Sequence, residues 1–148
     1  MNEIIVAFPK KEIAINIRNI LVRGGIDVYG VCTTGAQVLH MADTLDEGII
    51  ICGYRMQDMM YTDIREYLPK EFEILLVTSP DKWSDGSVQG VIGLSMPIKV
   101  HDLINTVEMM LQNMRRRRKK RHEAAKQRSP EEKALIAKAK SLLMERNN

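Results

Sequence analysis

The sequence predicts an α/β fold: a doubly wound, five-stranded parallel sheet in the order 2-1-3-4-5, followed by a helical C-terminal extension. Three observations lead there. Short apolar runs recur along the first hundred residues, as in strands buried on both faces. Between most of them, apolar residues return at spacings of three and four, the helical period. Gly or Pro marks several of the changes from one pattern to the other, and right-handed crossovers leave few ways to wind five such units.

The elements follow in order. Ile4–Ala7 reads as a central strand, and Ile13, Ile17, Ile20 and Leu21 as a helix stopped by Gly24 and Gly25. Ile26–Cys32 is expected as the second strand. Thr33 or Thr34 then caps a helix carrying Val38, Leu39, Met41 and Ala42. Gly48–Cys52 (GIIIC) is the most continuous β signal. A polar loop leads to a short helix at Thr62–Leu68, ended by Pro69. Glu73–Thr78 and Val91–Ser95 complete the strands, and the SPDKWSDGSVQG stretch between them supports at most a short helix. From Val100 a long helix carries the stripe Leu103, Val107, Met110 and Met114, widened by Ile104 and Leu111.

Size and composition set bounds. A chain of 148 residues holds one ordinary domain and a short appendage, and a hydrophobic fraction of 45% excludes wholesale disorder. No apolar run approaches the roughly 18 residues that cross a bilayer. The opening MNEIIVAFPKK lacks the order of a signal peptide, so a cytoplasmic protein without membrane contact is expected. Cys32 and Cys52 follow apolar β-formers and are expected to be buried free thiols. A strand lying between theirs disfavours a disulfide. No CxxC or Cys/His cluster points to a metal, and His40, His101 and His122 have no ligating spacing. Neither a nucleophile–base pair nor a glycine-rich phosphate loop is visible, so no enzyme activity and no cofactor are expected.

Ile49–Met59 (IIICGYRMQDM), Thr78–Ser79 after EILLV, and Met96–Pro97 after VIGLS carry a resemblance to the receiver domain of two-component response regulators. It covers residues 3 to about 114 and implies the flavodoxin-like, CheY-like arrangement. Phosphotransfer in that family needs an aspartate at the end of strand three, an acidic Mg²⁺-holding pair after strand one, and a lysine before a proline after strand five. Metal and cation neutralise charge on the transferring group. At these positions the chain has Gly53, Phe8 with Pro9, and Met96; Thr78 alone is retained. The resemblance therefore implies a degenerate phosphoacceptor site, a pseudo-receiver that forms no aspartyl phosphate. Phe8, Pro9 and Met96 are expected to pack over the former acidic pocket. Asp58, the nearest acid after Gly53, is expected to be a surface-loop carboxylate. Tyr54 and Trp83 are expected as partly buried aromatics, or else as the lining of a small-molecule pocket at the strand ends.

Charge divides the chain. Residues 1–114 carry 9 Lys and Arg against 15 Asp and Glu, a balance of −6, and residues 115–148 carry 13 against 4, a balance of +9. Such a split points to a polyanionic partner. The run Arg115, Arg116, Arg117, Arg118, Lys119, Lys120 and Arg121 follows the last receiver helix, with no interleaved aromatics for stacking on single strands. Ser129-Pro130-Glu131-Glu132 then reads as a new helix start. In that helix Leu135, Ile136, Ala139, Lys140, Leu143, Met144 and Arg146 resemble the first helix of the ANTAR module, a three-helix RNA-binding element of antitermination regulators. Ser141 replaces its usual glycine, and the resemblance reaches Asn148 one helix into the module.

The expected organisation is a receiver-like domain over 1–114, a basic helical linker over 115–128, and an ANTAR-like helix over 129–148. The expected function is phosphorylation-independent regulation of transcription antitermination, with a structured RNA hairpin contacted by Arg115–Arg121, Arg128, Lys140 and Arg146. A protein-interaction adaptor, or a regulator directed at DNA or polymerase, are the alternatives. The heptad-like stripe of the last receiver helix is expected to support a short homodimer contact.

Overall fold

The computed structural model describes residues 3–79, 81 and 88–126. The chain divides into two compact units, Met1–Gln112 and Asn113–Asn148. In order, the described elements are β1 (Ile4–Ala7), α1 (Lys11–Arg23), β2 (Gly30–Cys32), α2 (Gly35–Ala42), β3 (Gly48–Cys52), α3 (Tyr61–Tyr67), β4 (Phe72–Thr78), β5 (Val91–Ser95) and α4 (Val100–Lys126). The five strands form one sheet in the order β2-β1-β3-β4-β5, with every pairing parallel. The expected doubly wound architecture is therefore present.

Alternation along the strands divides the core between the two faces of the sheet. Ile4, Val6, Ile49, Ile51, Leu75 and Val77 face α1, through Ala14, Ile17 and Leu21, and α4, through Leu103, Val107 and Met110. Ile5, Ala7, Ile50, Cys52, Ile74 and Leu76 face α2 and α3 through Val38, Ala42, Tyr61 and Ile64. β1 and β3 are buried at every position, which is why their sequences read as unbroken apolar runs rather than as alternation. The α4 residues Leu103, Val107 and Met110 are fully buried in this core, so the stripe read as a dimer seam packs against the chain's own sheet. A second copy approaching α4 would meet Met109, 46% exposed, rather than that stripe.

Local chemistry sets the element ends. α1 closes where Ile26 N–H donates to Leu21 O, with Gly25 at φ 84°, a left-handed conformation costly for any residue with a Cβ. Thr34 is the N-cap of α2, its hydroxyl accepting from Gln37 N–H at 3.2 Å. Leu68, the residue before Pro69, is extended and ends α3. The Arg65 guanidinium then donates to the carbonyls of Leu68, Pro69 and Phe72, tying that turn to the start of β4.

Four boundaries differ from expectation, among them the end of α3, at Tyr67 rather than Leu68. β2 spans Gly30–Cys32, not Ile26–Cys32. It is an edge strand paired with β1, and the ladder starts at Ile5 opposite Gly30, so among the described residues no strand pairs with 26–28. α3 and β4 each begin one residue earlier than the spacing implied, at Tyr61 and Phe72. Most of the SPDKWSDGSVQG stretch, including Trp83, and all of residues 129–148 lie outside the described residues.

Candidate functional site

In a parallel sheet all strands end on the same edge, and the candidate residues follow those ends. β1 and β3 are adjacent, with Ala7 opposite Cys52, so the next residue of each, Phe8 and Gly53, come together. The Phe8 ring is 4% exposed and lies over the Gly53 Cα. A Cβ added at Gly53 would stand 3.2 Å from Phe8 Cδ2 and 3.5 Å from Cε2, so a side chain there needs the ring to give by a few tenths of an ångström. Gln57 Nε2 donates to Pro9 O at 2.9 Å and pins the β1–α1 loop to the β3–α3 loop. Thr78 closes β4, buried, and its carbonyl accepts from Met96 N–H at 2.9 Å.

The expectation that Phe8, Pro9 and Met96 together roof the site holds for Phe8 only. Pro9 is half-buried, and Met96 is 43% exposed. Met96 follows β5, an edge strand with a neighbour on one side, and lacks the cover that surrounds Phe8.

Asp58 has a structural duty that its sequence context concealed. Its carboxylate accepts from Gly35 N–H at 2.6 Å and Ala36 N–H at 3.0 Å, at the start of α2 and 23 residues away along the chain. Desolvation works to raise its pKa, but the backbone N–H donors of Gly35, Ala36 and Asp58 itself outweigh it, and the net shift is downward. A depressed folded-state value means stability that is present above the ordinary aspartate pKa and lost as pH falls through the folded value, below about pH 4. Asp58→Ala is expected to cost about 1 kcal/mol, because water can replace the carboxylate at this exposed helix start. Urea midpoints at pH 7 and pH 3 check this: the difference between wild type and variant should shrink at the lower pH.

The two cysteines are free and buried. Both pair in register with Ala7, from opposite sides. Two strand spacings therefore separate their Cα atoms by about 9–10 Å, beyond the reach of a disulfide. Burial pushes the Cys32 thiol up to about 11 and the Cys52 thiol up to about 12. Among the described residues no group of three or more His, Cys, Asp or Glu side chains could hold a metal ion, and no helix is long and apolar enough to cross a membrane. Tyr54 is half-buried against Tyr61, with ring centroids 5.5 Å apart, and lines neither the cleft beside α2 nor the basic depression of α4.

In the second unit the basic run is helical, as the end of α4. Arg115, Arg118, Lys119, Arg121 and His122 are exposed and line one solvent-open depression of about 630 Å³. Four of them fall at i, i+3, i+4 and i+7, the spacing of a single helix face. Lys119 Nζ stands 3.9 Å from Glu123 Oε1, an exposed pair that contributes little. Arg116 and Lys120 are exposed and Arg117 is half-buried, whereas Arg128, Lys140 and Arg146 lie outside the described residues.

Comparison with solved structures bears on the first unit. The chain is similar to a CheY-like response regulator receiver domain from Methanospirillum hungatei JF-1, at TM-score 0.62 and 14% identity, covering 76% of this chain and 96% of that one. A response regulator receiver protein from Sinorhizobium medicae WSM419 matches at 0.61 and 20%, covering 75% and 94%. The signal receiver domain of an HD domain-containing protein from Pseudomonas fluorescens Pf-5 matches at 0.64 and 17%, covering 80% and 92%. No family model matches the sequence, and no curated protein matches it. The fold is that of CheY-like receiver domains.

Proposed function

We propose that this chain is a non-enzymatic regulator of the response-regulator type that works without phosphorylation, its basic C-terminal region engaging structured RNA in transcription antitermination. The Phe8 ring over Gly53 carries the first half of this proposal. An acyl phosphate needs a carboxylate, and glycine offers none. A hard dication needs oxygen ligands at the strand ends, where this chain has a phenyl ring and a proline. The nearest acid, Asp58, is engaged with the start of α2.

Support for the RNA half comes from charge and from the resemblance of residues 129–148 to the ANTAR helix. An acidic body of −6 precedes a segment of +9, and Arg115, Arg118, Lys119 and Arg121 of that segment line one open depression with His122. Closely set cations neutralise phosphates and release their counterions, whatever the base sequence.

Two measurements test the proposal. Incubation with acetyl phosphate and Mg²⁺ is expected to leave the intact mass unchanged; a stoichiometric phosphoryl adduct would overturn phosphorylation independence. Fluorescence anisotropy with a hairpin RNA is expected to show binding that weakens linearly in log–log form as salt rises. Stronger binding to duplex DNA in competition would redirect the proposal to a DNA-acting regulator, and no binding at low salt would leave the protein-adaptor function in its place.

A further inference from the structure

Away from the strand-end site, a cleft of about 340 Å³ opens between β2 and α2, lined by Val31, Cys32, Ala36, Gln37, His40 and Met41. Three of these side chains carry soft or borderline metal-ligating atoms, and two of the atoms are already in contact: Cys32 Sγ lies 3.9 Å from Met41 Sδ. We propose that this cleft is a binding site for a soft monovalent cation of the Cu(I) class, with Cys32 and Met41 as its sulfur ligands and the His40 imidazole as the third.

The local fold builds the pair. The β1–β2 register turns Cys32 toward α2, in the same core as Val38 and Ala42. Met41 folds back over Gly30, where an added Cβ would fall 2.4 Å from its sulfur; the bare glycine Cα is the seat of the thioether. Two sulfurs at that separation can both reach one metal at about 2.3 Å, a usual metal–thiolate distance, with an S–metal–S angle of roughly 115°. That angle lies between trigonal and tetrahedral. Cys52 makes the contrast. It sits on the other side of Ala7 in the same row, fully buried, and does not line this cleft.

The ligand set selects the ion. A thioether, a thiol and an imidazole without a carboxylate offer little to Mg²⁺ or Ca²⁺, and a structural zinc ion asks for four thiolate or imidazole ligands where this cleft has two and a thioether. Cu(I) accepts three soft ligands. Binding is a ligand exchange: the Cys32 S–H proton leaves to solvent, the Sγ–metal, Sδ–metal and His40 imidazole N–metal bonds form, and the bonds to the carrier that delivered the ion break, releasing it. No electron is transferred, because the ion arrives as Cu(I).

The test uses the full chain under anaerobic conditions, with Cu(I) presented as its coloured bicinchoninate complex. Wild type is expected to withdraw one equivalent of Cu(I), and Zn(II) in excess is expected not to displace it. Cys32→Ser should abolish the withdrawal, and Met41→Leu and His40→Ala should each weaken it by about tenfold or more. Far-UV circular dichroism checks that the variants are folded. If Cys32→Ser fails to fold, Met41→Leu, which keeps the volume of the side chain, and His40→Ala, at an exposed position, decide the matter. Failure of wild type to withdraw Cu(I), or unchanged affinity in Met41→Leu and His40→Ala, would overturn the site, as would full binding by a folded Cys32→Ser protein.

Discussion

Gly53→Asp, the change that places a carboxylate where the receiver resemblance puts the acceptor, is expected to destabilise this protein by about 2–4 kcal/mol and, on the proposed function, still yield no phosphorylation. The first carbon of the new side chain would stand 3.2 Å from the Phe8 ring, inside ordinary contact distance. Phe8 is packed in the core with Val6, Ile51 and Val77 and has little room to move. The carboxylate beyond that carbon would face a phenyl ring, with neither the acidic pair's Mg²⁺ nor the lysine that such a group meets in a working receiver. Phe8→Ala alone should also be costly, about 3 kcal/mol or more, because it empties a buried aromatic site. The informative quantity is their coupling. If the ring is what excludes a side chain at 53, Gly53→Asp will cost about 1–2 kcal/mol less in the Phe8→Ala background than in wild type. Urea denaturation of the four proteins measures this, provided their m-values agree. A Gly53→Asp protein within about 0.5 kcal/mol of wild type would show that the ring yields freely.

Reversing three charges on the basic face of α4 is expected to have the largest effect on binding. Arg115→Glu, Arg118→Glu and Lys119→Glu together change the balance of residues 115–148 by two units each from +9. They also place carboxylates in the depression that those side chains line. Affinity for hairpin RNA at low salt should fall by about 100-fold or more, and the slope of log affinity against log salt should shrink by about one for each phosphate no longer neutralised. Glutamate is as good a helix former as the residues it replaces, so helicity should hold, and circular dichroism checks it. Reversing Arg116 and Lys120 in place of Arg118 and Lys119 should be milder, since neither lines the depression. Equal losses from both sets would mean that net charge alone drives binding; undiminished affinity in both would remove the RNA-binding role from this segment.

The α/β architecture was legible from residues alone because buried parallel strands must be apolar on both faces. Runs such as GIIIC leave few other placements. The strand order followed from chain connectivity, and with it the separation of Cys32 from Cys52 by β1. The absence of a carboxylate at the end of β3 was legible for a different reason: a missing side chain is a property of the residue, and glycine at 53 is glycine in any fold. Strand ends were less legible at the sheet edge. β2 contracts to three residues because pairing needs a neighbour, and no local pattern states how far the neighbour extends.

What the sequence by itself determined is the set of groups available: an acidic body, a basic segment, glycine rather than a carboxylate at position 53, and no local metal motif. Tertiary structure alone decided which of those groups meet. It put the Phe8 ring over Gly53 and left Met96 in solvent, sent Asp58 across to the start of α2, and brought the Met41 thioether onto Gly30 beside Cys32. The physical reason is common to all of these pairings. Each joins residues from different elements, so it depends on strand register and helix placement, which are fixed by burial of the whole core rather than by any segment's own preferences.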